Sequence, residues 1–440
     1  MAKAKYQATI QAAVPKAGRT EIDKAFIRLA THWQVSSWLG LRNRYRTHCI
    51  AVIDKDLKAK RKPKARDMAE YIAASVPLHT YDGWAYLGRA IDAHIRGDTW
   101  AARHLAYYAE LRAAMAILAH QGIGVFNLHS YVVESPLSLH RVDVPTHDMA
   151  RLALESWARI PDSASLLLAV IQPGGQPLDT WFGGSTMGSA FTPVGERLLE
   201  DWGYDLRMDT DRDARNVASY RPSAIERRQN PTPTVAERYK FLRAVWEAFE
   251  PGTAPFHKLD QHLLRISLER MFKATKGRTH RQSPAEFSRL VAETVKNVPA
   301  SNIGADLLTK FLLRQTEPAD LQLISSARPT GAVDHIQVIS RAALLLRIAA
   351  GATGDLIGRT RTQVAQLRFW WHPRGEMLGL WQGAEPASRA DFYATWYDVQ
   401  AALQDFELWL NSPPSEPVDL LRQPFSILGT TERIALWSVA

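Results

Sequence analysis

One segment of this 440-residue chain limits its folding more than any other. From Thr99 to His120 the sequence reads TWAARHLAYYAELRAAMAILAH, apolar on most sides of a helix and stopped by Gly122. A helix with so little wet surface has to be wrapped by other elements, which places it at the centre of a bundle. Amphipathic partners are easy to find. In SRADFYATWYDVQAALQDFELWLN, residues Phe392, Trp396, Val399, Leu403, Phe406 and Leu410 recur at steps of four and three and form one apolar stripe. Ser388 stands as its N-cap, Asp391 in its first turn and Pro413 beyond its end. SPAEFSRLVAETV and TVAERYKFLRAVWEAF open with the capping-box pairs Ser283/Glu286 and Thr234/Glu237.

The fold expected is therefore mainly α, with multi-helix bundles in two or three domains. A small irregular or β-containing insertion is expected around residues 122–190. There, GIGVFNLHSYVV and SLLLAVIQPGG read as short β-like runs between turn residues. QPGGQPLDTWFGGSTMGSAF reads as a long surface loop. Prolines in RQNPTPT, and a softer break at Val76 and Pro77, divide the chain into an N-terminal helical and basic region (1–76), a central helical domain with the insertion (77–230) and an all-α C-terminal domain (231–440).

With 46% hydrophobic residues the chain can bury sizeable cores, so intrinsic disorder is excluded. Cys49 is the only cysteine, which excludes an internal disulfide and a cysteine-rich zinc cluster and fits a reducing cytoplasm. MAKAKYQATIQ lacks the apolar core of a signal peptide, and no membrane association is expected. A net charge of +9 favours acidic partners such as nucleic acid. No cofactor or metal is expected. GIGVFN lacks the third glycine of a dinucleotide fingerprint, and GATGDLIGRT has Arg359 where a phosphate loop needs lysine. GGSTMGS has no nucleophile elbow, so Ser185 has no special claim. Asp209, Asp211 and Asp213 lack the glycine and the final glutamate of a calcium loop. They read instead as acids at the start of a helix, Asp211 pairing with Arg215 one turn on. A divalent-metal hydrolase using Asp205, Asp209 and Asp213 is the least favoured alternative.

That helix, running to Tyr220, carries Arg212, Arg215, Asn216 and Ser219 on one stripe. A polar stripe must face solvent or a groove where its donors find partners. A second Arg-Asn pair lies in LGLRNRYRTHCIAVID, where Arg42 and Asn43 precede His48. Comparable arginine-to-histidine spacing recurs at Arg89 and His94, Arg141 and His147, and Arg328 and His335, but only Arg42 is followed by asparagine.

The Arg42-Asn43-His48 pattern resembles that of the HEPN family, helical-bundle proteins whose nucleases carry arginine, often followed by asparagine or another polar residue, then four to six residues and histidine. Arg215, Asn216 and Tyr220 resemble a degenerate copy with tyrosine in the histidine position. The resemblance implies metal-independent RNA cleavage, with His48 as general base or acid and Arg42 steadying phosphate charge. Asn43 would orient its neighbours. It also implies a site completed by a second protomer, hence a homodimer, and a bacterial defence or toxin-like setting.

KDLKAKRKPKAR follows directly. Its Lys58, Lys60, Arg61, Lys62 and Lys64 could hold phosphates, and Tyr45 could stack on a base. Arg212, Arg215, Asn216 and Tyr220 complete the expected nucleic-acid contacts, with RNA ahead of DNA. The alternative is a non-catalytic helical scaffold that binds a protein partner through its tryptophan-rich C-terminal half, where RFWWHPRGEMLGLW gathers Trp370, Trp371 and Trp381.

Overall fold

The structure is a computed structural model. It describes residues 2–183, 195–204, 206, 208–220, 233–252, 254–298, 304–328, 333–381, 383, 389–411 and 425–439. The fold is mainly α, and among the described residues a single three-stranded sheet interrupts the helices. The N-terminal region holds α1 (Ala2–Ala13), α2 (Arg19–Trp33) and α3 (Cys49–Lys58). Next come α4 (Ala65–Ile95) and α5 (Thr99–His120), then β1 (Ile123–Gly124), β2 (His129–Glu134) and β3 (Ser138–Asp143). Five helices follow: α6 (Thr146–Ala158), α7 (Pro161–Val170), α8 (Leu178–Phe182), α9 (Gly195–Asp201) and α10 (Met208–Tyr220). The remainder comprises α11 (Val235–Ala248), α12 (His257–Lys276), α13 (Pro284–Lys296), α14 (Ala305–Leu312), α15 (Gln322–Ala327), α16 (His335–Arg359), α17 (Arg368–Met377), α18 (Arg389–Asn411) and the terminal helix Glu432–Val439.

The centre is built from α4, α5 and α16, which pack against one another. Helix α5 keeps the bounds read from the sequence, and its Asp98 cap accepts from the Ala101 amide at 2.9 Å. Around it, buried apolar side chains form one contiguous core from Ile10 to Leu436. Helix α16 has the length and mean hydropathy of a membrane span, but 89% of that window is covered by the rest of the chain. The C-terminal segment closes against α4 at Gly88, where a Cβ would stand 2.0 Å from the Gly429 carbonyl oxygen. Only glycine permits that approach.

The sheet is antiparallel in the order β1-β2-β3, with Tyr131 opposite Arg141 and Val132 opposite His140. It lies inside the expected insertion, but SLLLAVIQPGG departs from its β-like reading. Pro161 at the first helical position and Asp162 in the first turn start α7, which buries Leu166, Leu167 and Val170. The first part of the expected surface loop is also ordered: α8 buries Trp181, whose indole donates to the Pro173 carbonyl at 3.1 Å. Residues 184–191 of that loop, Ser185 among them, lie outside the described residues.

The expected break at Val76 and Pro77 falls inside α4, which continues through the proline. Pro77 removes one backbone hydrogen bond, but the packed neighbours of α4 hold its course. Residues 228–232 of the other proposed boundary lie outside the described residues. The Thr234/Glu237 capping box forms, whereas Ser283 begins α13 without a side-chain cap bond. Trp396, Val399 and Phe406 of the α18 stripe are buried, while Ser388, Pro413 and the side chain of Phe392 lie outside the described residues.

Candidate functional site

The Arg42-Asn43-His48 motif is divided between one buried and two exposed side chains. Asn43 is buried, its amide donating to the Asp67 carbonyl at 3.0 Å and to Glu70 Oε2 at 3.3 Å while its Oδ1 accepts from the Tyr45 amide at 2.9 Å. The asparagine is thus spent tying the 40–48 segment to α4. Arg42 and His48 are exposed and have no hydrogen bond or ion pair from their side chains among the described residues. His48 takes a left-handed conformation at φ 53° and leads into α3, not into a strand. Arg44 is bound by the Asp56 carboxylate.

Tyr45 is not available to a base. Its ring is fully buried, and its hydroxyl accepts from the Lys64 amide at 3.2 Å. Burial pushes its phenol up to about 12. The basic stretch matches expectation better: Lys58, Lys60, Arg61, Lys62 and Lys64 are all exposed. Lys60, Arg61 and Lys62 join Leu57, Tyr131, Leu139 and Arg141 around a groove of about 330 Å³.

The second Arg-Asn pair is part of a cluster. Helix α10 forms as expected, and its polar stripe faces α5 and α6. Asp211 does not pair with Arg215. It points inward, 1% exposed, onto the equally buried Arg341 of α16, whose Nε donates to Asp211 Oδ2 at 2.7 Å. Arg212 is also taken, its Nη1 donating to Asp148 at 2.7 Å and so pinning α10 to α6. Tyr220 is 79% exposed at the helix end. Among the described residues no group of acids and histidines could hold a metal, and Asp205 lies outside them.

Arg215 is 7% exposed, and among the described residues its side-chain hydrogen-bond partners are all neutral. Its Nη1 donates to Asn216 Oδ1 at 2.9 Å, and its Nη2 donates to the Tyr108 hydroxyl at 3.3 Å and to His147 Nε2 at 3.2 Å. The guanidinium also lies 5.4 and 5.3 Å from the ring centroids of Tyr107 and Tyr108. Among the described residues no carboxylate forms an ion pair with it, and its buried Nε has no hydrogen-bond partner. Buried cations are ordinarily paired with anions, and among the described residues no ion pair compensates the positive charge here.

His147, in the first turn of α6, is held on both sides. With Nε2 accepting from Arg215, Nδ1 carries the proton and donates to the Tyr107 hydroxyl at 2.8 Å. Partial burial, then the Arg215 and Arg212 charges, lower its pKa, which keeps the imidazole neutral. His104 of α5 also stands beside Tyr108, its Nδ1 2.7 Å from the Ser219 hydroxyl. Partial burial and Arg215 lower its pKa too. The His104 and His147 rings lie 5.1 and 6.5 Å from that of Tyr108. Tyr107, Tyr108, His104 and His147 were not expected from sequence as members of this site. The only linear signal was the Arg141-to-His147 spacing, and it is Arg215, not Arg141, that meets His147.

Four tryptophans of the C-terminal half are interior, while Trp409 is half-buried. Trp370, Trp371, Trp381 and Trp396 are each 5–8% exposed, Trp371 donating to the Val364 carbonyl at 3.1 Å. They are not available as a partner surface. GATGDLIGRT forms the end of α16 and lines a cleft of about 450 Å³ with Gly351, Gly354, Asp355, Gly358 and Arg359. Its acid is already engaged: Asp355 pairs with Arg19, His120 and Arg359.

No family model matches the chain, and neither a curated protein nor a solved structure shows significant similarity to it.

Proposed function

We propose that this protein binds single-stranded RNA and cleaves its backbone without a metal ion, with Arg215 holding the scissile phosphate and His147 acting as general base. The observation that carries this reading is a buried guanidinium, served only by neutral groups among the described residues, beside the acceptor nitrogen of a neutral imidazole. A phosphate supplies the missing anion, and charge-assisted bonds from arginine to phosphate oxygens are stronger than those it makes to neutral groups.

The chemistry follows from the positions of the groups. On binding, Arg215 exchanges its bond to Nε2 for bonds to the non-bridging phosphate oxygens, which frees Nε2. His147 takes the proton of the ribose 2′-hydroxyl as that oxygen bonds to phosphorus, and the bond from phosphorus to the 5′-oxygen breaks. Water protonates the departing 5′-oxygen. The products are a 2′,3′-cyclic phosphate and a 5′-hydroxyl. Tyr107 orients the base through Nδ1, and Asn216 fixes the plane of the guanidinium. This is the chemistry that the HEPN resemblance implies, transferred from Arg42 to Arg215 and with a histidine drawn from another helix. The exposed groove of Lys60, Arg61, Lys62 and Arg141 supports the nucleic-acid reading, because Arg141 in β3 lies six residues before His147 in α6. Six residues span at most about 20 Å, so a bound strand can reach both places.

The test is incubation of an end-labelled single-stranded RNA with the protein in EDTA. Cleavage to a cyclic phosphate is expected, with a 2′-deoxy strand left intact. His147→Gln and Arg215→Gln should each slow it by about 100-fold or more. Absence of cleavage, a requirement for added metal, or full activity in either variant would refute the proposal.

A further inference from the structure

A second basic groove lies between the end of α12, the 277–282 turn and the segments after α14 and α15. A groove of about 520 Å³ there is lined by five cations, Arg270, Lys273, Arg281, Arg314 and Arg328, against the two carboxylates Glu269 and Asp320. The carboxylates are already committed. Arg314 grips Glu269 with Nε and Nη2 at 2.5 and 2.9 Å and reaches Asp320 with Nη2 at 3.0 Å. Arg265, fully buried behind the groove, donates to the same Asp320 oxygen at 3.0 Å. Burial alone would raise the Asp320 pKa, but Arg314 and Arg265 outweigh it and the acid stays ionised.

The floor is thus a fixed, internally balanced ion-pair network, and the charge of the rim is left over. Arg270 is shared with Asp201 at 3.1 Å. Lys273, Arg281 and Arg328 are exposed, and none of them forms an ion pair among the described residues. Three unpaired cations around one concavity concentrate positive potential, and low-dielectric walls strengthen it.

We propose that this groove binds a ligand with closely spaced phosphates, the chemistry shared by a nucleotide's polyphosphate tail and by consecutive phosphates of a nucleic-acid strand. A lone carboxylate cannot engage three separated cations, whereas a chain of phosphates can. Arginine supplies planar paired donors and Lys273 a mobile point charge, a combination suited to phosphate oxygens. The inference is independent of the reading of Arg215 and His147.

Inorganic tripolyphosphate titrated calorimetrically into the full chain at about 50 mM salt is the direct probe, because screening is weaker there. Saturable binding that weakens with salt is expected. The triple variant K273Q/R281Q/R328Q should lose at least tenfold in affinity, while Arg215→Gln should bind as the wild type does. The three side chains are exposed, so an unchanged melting temperature checks that the variant is folded. Displacement of tripolyphosphate by ATP would assign a nucleotide tail, and displacement by a 5′-hydroxyl RNA hexamer would assign a strand. No binding by the wild type, equal binding by the folded triple variant, or displacement by neither competitor would overturn the proposal.

Discussion

Arg215 and His147 lie 68 positions apart in the chain and meet at 3.2 Å, the guanidinium donating and the imidazole Nε2 accepting. Two helices have to be docked correctly for that bond to form. The buried Asp211-Arg341 pair fixes α10 on α16, and Arg212 with Asp148 fixes it on α6. The residues that present the site are thus distinct from those that would do its chemistry.

Asp211→Asn should cost about 3–5 kcal/mol, because it leaves Arg341 buried without its anion. Urea unfolding measures this. A loss under about 1 kcal/mol would mean that the pair does not anchor α10. The carboxyl of Glu110 is pushed up by burial and then by the Asp211 charge, and the variant removes the second of these.

The N-terminal motif separates into structural and idle residues. Asn43→Ala should destabilise the fold by about 1–3 kcal/mol, since it strands buried partners, and Tyr45→Phe by about 1 kcal/mol. Arg42→Ala combined with His48→Ala should change stability by less than about 0.5 kcal/mol and leave RNA cleavage intact. Cleavage lost in that double variant would return the chemistry to the N-terminal motif.

How much of this is written in the sequence depends on the range of the interaction. Helix α5 was legible because its apolar character runs round the whole cylinder, and α10 because acids and a following proline bracket it. The exposed lysines of residues 58–64 were legible as a local charge run. Tyr45 was misread because its cationic neighbours suggested a wet surface, while its burial depends on α4 folding over it. The SLLLAV part of SLLLAVIQPGG was misread because an apolar run alone does not distinguish a strand from a buried helix. Arg215 and Asn216 could be singled out as a polar stripe, but the histidine that completes them comes from α6 and is fixed only by tertiary packing.

Acid should weaken the fold through its buried histidines. Burial lowers His94, His120 and His335 to about 4, against an ordinary 6.5, so they are neutral when folded. Unfolding between those values takes up protons, so their stabilising contribution is complete above about pH 6.5 and falls as the pH drops toward 4. Each histidine adds a slope of up to about 1.4 kcal/mol per pH unit. In urea titrations at pH 6.5, 5.5 and 4.5, His120→Gln should show a shallower loss than the wild type by about that amount. Equal slopes would contradict the burial of His120 as a neutral group.

The groove beside the sheet should contribute salt-sensitive affinity. Replacing Lys60, Arg61 and Lys62 with glutamine should weaken RNA binding and reduce the slope of log K against log salt by about 2. Tyr220→Ala, at an exposed helix end, should leave that slope unchanged. An unaltered slope in the triple variant would remove the groove from the path of the strand.

The account rests on Arg215 being an uncompensated cation beside a neutral His147, and an NMR titration of the His147 ring reads this directly. In the free protein its pKa should lie below 6.5, and saturation with an uncleavable 2′-deoxy oligonucleotide should raise it, as phosphate neutralises Arg215 and places negative charge next to the ring. A His147 that titrates at or above 6.5 in the free protein, or whose pKa does not move when the strand is added, would contradict it.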